Sequence, residues 1–524
     1  MNVSYLELLK LAAPETIVVI AALVVLVVDL TSTRELESRF RFIICGMIAC
    51  VGCAAAIAWM LVIPAHGNAL GGMLVVDPLT QLVKITLLGL TIFTVLISID
   101  STFTDHVGEY LALVLLAAVG MMFLVSAEDI LMIFIALELT SLSLYILTAF
   151  NKRDVKSAEA ALKYFLFGGM AAAFTLFGLS LLYGLSGATN LGQIAAALKG
   201  KGLDPLLIVA IVMTVIGFGF KVAAVPFHLW APDAYQGAPT PSAAFIASGS
   251  KVASFFIFAK VMMIGFAGEK VEGSAAFQSY ASGWIPVIAI VAVLSMLLGN
   301  LVAIVQSSVK RLIAYSAIAH AGYMLLGVMA HSGEAVASLV YYAVTYGLTT
   351  IGAFGVVAVV ENSTGRTTSH PSPLIPLPVE GRGKSAFGVS DDSLASFAGL
   401  SCRSPVISFC MMIFMLSLAG IPPLAGFFGK FYVFAAALKT GAPDLGLLWL
   451  VILAIAMSAV SLYYYLQVLK QIYVADVPAS APELRAPILS QVVLSLLAAG
   501  VILFGCAPNL LVGVLQHCIK AAGL

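Results

Sequence analysis

The stretch 217-GFGFKVAAVPFHLWAPDAY-235 sets one lysine, Lys221, in an otherwise apolar run, with Pro226 five residues further on. Proline removes a backbone donor and clashes with the preceding turn, so a helix crossing this stretch has to break beside the lysine. What the lysine does depends on the medium around it. The whole chain of 524 residues is 61% hydrophobic and 10% charged, with mean hydropathy +1.07, and lacks the polar surface for a soluble globule. It reads as a membrane protein, in which an ammonium at bilayer depth is a functional candidate by default.

Several function classes drop out at once. Net charge is zero and no basic arm or aromatic-basic groove is visible, which excludes a nucleic-acid binder. The first apolar segment carries Glu15 and Asp29 without a basic leader or small-residue cleavage site, so it reads as a retained span. Cys50 and Cys53 form a CxxC inside 42-FIICGMIACVGCAAAIAWM-60, where thiols act as small apolar packers, and no second ligand pair accompanies them. Gly-rich dinucleotide fingerprints, cluster-type cysteine spacing and a nucleophile elbow are all missing from the sequence. If the protein serves an oxidoreductase, the electrons run in another chain.

Apolar runs long enough to cross the hydrocarbon predict an all-α polytopic membrane protein with about fourteen spans. They start near residues 11, 41, 77, 109, 129, 159, 204, 239, 284, 311, 335, 405, 446 and 487. Trp59, Trp230, Trp284 and Trp449 fall near span ends, as an aromatic belt would place them. Basic residues of the loops divide fourteen to six between the two sides, which makes the richer side cytoplasmic and turns both termini outward.

Six basic residues fall inside spans: Lys84, Lys163, Lys221, Lys251, Lys260 and Lys430. Lys84, Lys163 and Lys260 lie near span ends, where a long side chain can snorkel to the interface. Lys221, Lys251 and Lys430 are deeper, and Glu138 reads as the one deep acid. In 417-SLAGIPPLAGFFGKFYVF-434, Lys430 follows Pro422, Pro423 and three glycines, so a second broken helix is expected there. Spans four to eight and nine to thirteen place Lys221 and Lys430 on the fourth helix of each unit. Five crossings per unit is odd, so the two repeats lie inverted in the membrane. The expected layout is flanking spans at 11–100, repeat one at about 109–265, repeat two at about 284–475 and a last span at about 487–511. His320 occupies the second helix of its unit, as Glu138 does of the first, and reads as a relay residue opposite an acid.

The segments 217-GFGFKVAAVPFHLWAPDAYQGAPTPSAAFIASGSKVASF-255, 310-KRLIAYSAIAHAGYMLLG-327 and 418-LAGIPPLAGFFGKFYVF-434 resemble those of the subunit N family of bacterial NADH:quinone oxidoreductase, respiratory complex I. The wider family holds the other antiporter-like subunits and the large subunits of cation/proton antiporters. The resemblance implies a proton channel in a larger machine of membrane and peripheral subunits, in a bacterial inner membrane. By matching motif positions, it implies that Glu138 pairs with Lys221, that Lys251 is the central relay and Lys430 the terminal site, and that His228, His320 and Lys163 belong to the same polar axis. It also implies that NADH, FMN, iron–sulfur clusters and quinone sit on partner subunits, with no cofactor in this chain. A free-standing cation/proton antiporter and a purely structural subunit are the competing readings. The family's link within residues 361–404 is usually much shorter, and 367-TTSHPSPLIPLPVEGRGKSAFGVS-390 reads as an extended insertion without a transport role.

Overall fold

The computed structural model describes residues 5–63, 66–152, 154–199, 204–266, 283–365, 392–440, 446–477, 484 and 486–522. The expected insertion at 367–390 lies outside the described residues. Twelve helices among those described are long and apolar enough to cross a membrane.

Flanking helices come first: α1 (Tyr5–Leu11), α2 (Ala13–Thr31), α3 (Ser38–Val62) and α4 (Pro78–Ser98). The first repeat contains α5 (Val107–Ser126), α6 (Ile130–Thr148), α7 (Val155–Ser186) and the short α8 (Leu191–Leu198). It continues with α9 (Pro205–Lys221), α10 (Trp230–Gly237), α11 (Thr240–Ala247) and α12 (Gly249–Lys260), which ends in a π-helical turn at Val261–Gly265. The second repeat contains α13 (Ile285–Ile304), α14 (Val309–Met329), α15 (Gly333–Gly365), the short α16 (Leu400–Arg403), α17 (Pro405–Ala419), α18 (Ala425–Thr440) and α19 (Leu448–Tyr473). The chain closes with α20 (Ile488–Cys506) and α21 (Asn509–Ala522).

Helix starts follow from local chemistry. The carboxylates of Asp77, Asp129, Asp154 and Asp204 accept hydrogen bonds from first-turn backbone N–H groups of α4, α6, α7 and α9. Proline stands in the first turn of α4, α9, α11, α13 and α17, where its missing N–H costs nothing. The two repeats lie inverted and each contains a broken helix, α9–α10 in one and α17–α18 in the other. The span Thr240–Gly265 and helices α14 and α15 are buried almost throughout, so the centre of the bundle is protein and not lipid.

Two features depart from the sequence reading. Gly67–Ala69 and Leu74–Val76 pair as a small antiparallel hairpin, turned by Leu70, Gly71 and Gly72 at φ of 53°, 71° and 103°. It is the one pair of strands among the described residues. The aromatic belt also fails for two of its four members: Trp230 and Trp284 are 2% and 0% exposed. Trp230 stacks on Tyr164, with ring centroids 4.2 Å apart and 5° between planes, and its indole N–H donates to Phe220 O at 2.9 Å. It braces a helix break; Trp449, by contrast, is 49% exposed.

Candidate functional site

The first break starts at the C-terminus of α9, where Lys221 is the last helical residue. Ala223 takes φ +57°, a left-handed conformation that a side chain disfavours, and the Val225–Pro226 peptide is cis. The freed backbone groups find partners: Ala223 N–H donates to Phe220 O at 3.0 Å, and Val225 N–H donates to the Ser295 hydroxyl on α13 at 2.9 Å. An irregular segment at membrane depth is tolerable because protein covers it in this way. Ser295 belongs to the second repeat, so this contact stitches the break of one repeat to a helix of the other.

The Lys221 ammonium donates to the Ser141 hydroxyl on α6, and stands 5.5 Å and 6.0 Å from the rings of Phe220 and Tyr145. Glu138, one turn before Ser141, acts on Lys221 electrostatically. Glu138 and Lys221 are thus coupled electrostatically, with the Ser141 hydroxyl as the direct hydrogen-bond partner of the lysine.

The second break is built on different chemistry. Gly420 ends α17 at φ +86°, and Lys430, on the first turns of α18, reaches back to donate to Leu418 O and Ala419 O, each at 3.0 Å. A cation at the carbonyl end of a half-helix is favoured by the helix dipole and satisfies two of the orphan acceptors there. Its third bond is to the Ser458 hydroxyl on α19 at 2.8 Å. The same ammonium borders a cavity of about 460 Å³ that Phe427, Phe431 and Ser458 share.

Lys251 sits just past a third break, which the sequence did not announce. Ser248, at φ −112° and ψ −79°, separates α11 from α12, and its hydroxyl donates to Ala244 O at 2.6 Å. The Lys251 ammonium donates to Ala317 O on α14 at 2.6 Å. One turn along α14, His320 faces tyrosines and not an acid, correcting the expectation of a carboxylate partner. Its Nδ1 lies 2.7 Å from the Tyr342 hydroxyl and its Nε2 3.1 Å from the Tyr465 hydroxyl. His320 is within electrostatic reach of both Lys251 and Lys430. Lys251, His320 and Lys430 therefore form one buried line.

Lys163 and His228 stand apart from that line. Lys163, 40% exposed, pairs with Glu159 at 2.7 Å and with Asp233 at 2.8 Å. Asp233 holds Arg311 of the second repeat with its other oxygen at 2.7 Å, so this triad ties α7, α10 and α14 near one end of the bundle. His228 is buried in the first break, and its Nδ1 has no hydrogen-bond partner among the described residues.

The snorkelling assignment fails for two lysines. Lys84 is 1% exposed and pairs with Glu15 on α2 at 2.6 Å, and Lys260 is buried with its Nζ 3.0 Å from Glu128. Glu138 is also not the one deep acid: Glu15 and Asp29 are buried more completely, and Asp29 holds Arg41 at 2.6 Å. Ser141, Ser458, Tyr342 and Tyr465 escaped the sequence reading. Helical spacing flags Ser141, three residues after Glu138 on the same face; nothing in the sequence flags the other three, whose partners are remote in the chain.

A family model described as NADH:quinone oxidoreductase/Mrp antiporter, TM matches residues 127–459. A protein of Acidobacterium capsulatum named NADH-quinone oxidoreductase subunit N 2 is 52% identical over 518 residues, 97% of this chain and 98% of its own length. NADH-quinone oxidoreductase subunit N of Rhodospirillum rubrum is 37% identical over 97% of this chain and 96% of its own. A chain in the structure of respiratory complex I from Thermus thermophilus with bound aureothin is 31% identical and superposes with TM-score 0.74 over 96% of this chain and 99% of that one. A chain of the Mrp complex from Dietzia sp. DQ12-45-1b, at 18% identity and TM-score 0.75 over 98% and 97% of the two chains, shares the fold. Helices, breaks and sequence agree: the chain belongs to the NADH:quinone oxidoreductase/Mrp antiporter transmembrane family, within its subunit N branch.

Proposed function

We propose that this chain is the non-redox, proton-translocating membrane subunit of an NADH:quinone oxidoreductase. The observation that carries the reading is the placement of three lysines, Lys221, Lys251 and Lys430, beside three helix breaks at membrane depth. Each is held by a hydroxyl or a carbonyl that can give up and retake its bond. Ser141 holds the Lys221 ammonium while Glu138 acts on it electrostatically, and withdrawing Glu138 favours release of its proton. His320, between the tyrosine hydroxyls of Tyr342 and Tyr465, joins Lys251 to Lys430. Lys163 acts on the Lys221 side through Asp233 and α10, and His228 adds its buried imidazole to the same broken segment. Moving one charge across 100 mV costs about 2.3 kcal/mol, a scale that rearranging one or two such bonds covers.

Quinone reduction in partner subunits supplies the perturbation; NADH, FMN, iron–sulfur clusters and quinone belong to those partners, among them neighbouring antiporter-like subunits. The membrane is the bacterial inner membrane, with both termini on the outer side. The test is Lys221→Ala in the purified, assembled complex. Protons pumped per NADH oxidised should fall, and an unchanged ratio overturns the role of Lys221. Recovery of the tagged chain with only small membrane subunits and no NADH oxidation would favour the cation/proton antiporter instead.

A further inference from the structure

Arg311 is the third residue of α14, at a helix end whose unpaired N–H groups disfavour a cation. Carboxylates of two other helices offset that field: Lys310 lies 2.7 Å from Glu361 on α15, and Arg311 lies 2.7 Å from Asp233 on α10. The same Arg311 nitrogen donates to the Gln236 side-chain oxygen at 3.2 Å. Asp233 and Gln236 are three residues apart, so one face of α10 holds the guanidinium at two points. α10 is also the helix on which the chain resumes after the Lys221 break. Its first residue, Trp230, donates to Phe220 O beside Lys221, so this one short helix spans from the break to α14.

The other side of the break is held by the same part of the second repeat. Val225 N–H, just before Pro226, donates to the Ser295 hydroxyl of α13 at 2.9 Å. α13 and α14 pack as one body. A Cβ on Gly299 of α13 would stand 2.5 Å from Ala319 N, and one on Gly322 of α14 would stand 2.9 Å from Ala292 O. Backbone meets backbone at both points, and the Asn300 side-chain amide donates across the pair to the Tyr323 hydroxyl at 2.9 Å. The Lys221 break is thus fastened to the α13–α14 hairpin on both sides of Pro226.

That hairpin carries the next groups of the relay. Ala317 O, the acceptor for Lys251, is six residues beyond Arg311, about 9 Å along the helix, and His320 is nine beyond, about 14 Å.

Building on the proton-relay reading, we propose that Arg311 and Ser295 are positioning residues that clamp the two sides of the Lys221 break to the α13–α14 hairpin, so that a rearrangement at Lys221 carries Ala317 O and His320 with it. Neither residue moves a proton. The clamp makes the Lys221 step and the Lys251 step one displacement.

The test compares variants of the assembled complex in vesicles, read as protons taken up per NADH oxidised. Arg311→Met leaves Asp233 paired with Lys163, so no carboxylate is orphaned, and it should lower the ratio at least 3-fold. Arg311→Lys restores a cation to Asp233 and should recover at least half of the parental ratio. Ser295→Ala changes no charge and should lower the ratio at least 2-fold, which separates a clamp from a purely electrostatic effect of the guanidinium and serves on its own if Arg311→Met does not assemble. A parental ratio in Arg311→Met or in Ser295→Ala overturns the proposal, as does an Arg311→Lys complex that pumps no better than Arg311→Met. Lys221→Ala is measured beside them. A lowered ratio there with parental ratios in the clamp variants strikes the clamp alone, whereas a parental ratio in Lys221→Ala strikes the relay reading on which it rests.

Discussion

Gly426 is the position at which a single methyl group should disconnect Lys430. A Cβ built there would stand 1.9 Å from Ser417 O and 2.7 Å from Ser417 C, where ordinary contact begins at 3.4 Å. The obstacle is backbone of α17, which cannot swing aside, so α18 has to move away from the α17 C-terminus by about 1.5 Å. That motion also strains the hydrogen bond from Gly426 N–H to the Ser417 hydroxyl at 3.1 Å. Lys430 is one turn further along α18 and is carried outward with it, away from Leu418 O and Ala419 O at 3.0 Å. Losing one hydrogen bond of a charged donor costs about 1.5–3 kcal/mol. At about 1.36 kcal/mol per decade that is roughly a 10- to 150-fold change in the step that loads Lys430.

The assay is proton uptake into vesicles holding the assembled complex, read with a pH-sensitive dye and divided by the rate of NADH oxidation. Gly426→Ala should lower the ratio, while Gly500→Ala on α20, where a Cβ meets nothing within 4 Å, should leave it unchanged. A Gly426→Ala complex that assembles and pumps at the parental ratio refutes the argument that the α17–α18 break positions Lys430.

Two further outcomes follow from buried contacts. Lys84→Met leaves Glu15 as an uncompensated buried carboxylate and should destabilise the chain by about 3–5 kcal/mol, whereas Lys84→Met with Glu15→Leu should recover most of that loss; thermal unfolding of the detergent-solubilised complex compares the two. Trp230→Leu removes the stack on Tyr164 and the donor to Phe220 O, and should cost about 2–4 kcal/mol in the same assay, with pumping reduced because Phe220 adjoins Lys221.

The membrane class, the inverted repeats and two of the three breaks were legible because each rests on local chemistry. An apolar run of span length says what solvent it needs, and Pro226, Pro422 and Pro423 say where backbone donors are lost. The break at Ser248 was not legible: 247-ASGSK-251 contains no proline, and the helices on either side of the bend pack against α4, α5 and α15, remote in the chain. Lys84 and Lys260 were misjudged for the same kind of reason. Depth along a span can be counted, but their partners, Glu15 and Glu128, lie 69 and 132 residues away in the chain.

The sequence by itself determined that this is an all-α membrane protein with lysines at depth, because hydropathy, charge and proline are properties of residues and their near neighbours. Tertiary structure alone decided what each lysine touches: the Ser141 hydroxyl, Ala317 O, and the open carbonyls of α17. In hydrocarbon a charge cannot remain unpaired, but which dipole meets it depends on how inverted helices pack, and no run of neighbouring residues carries that information.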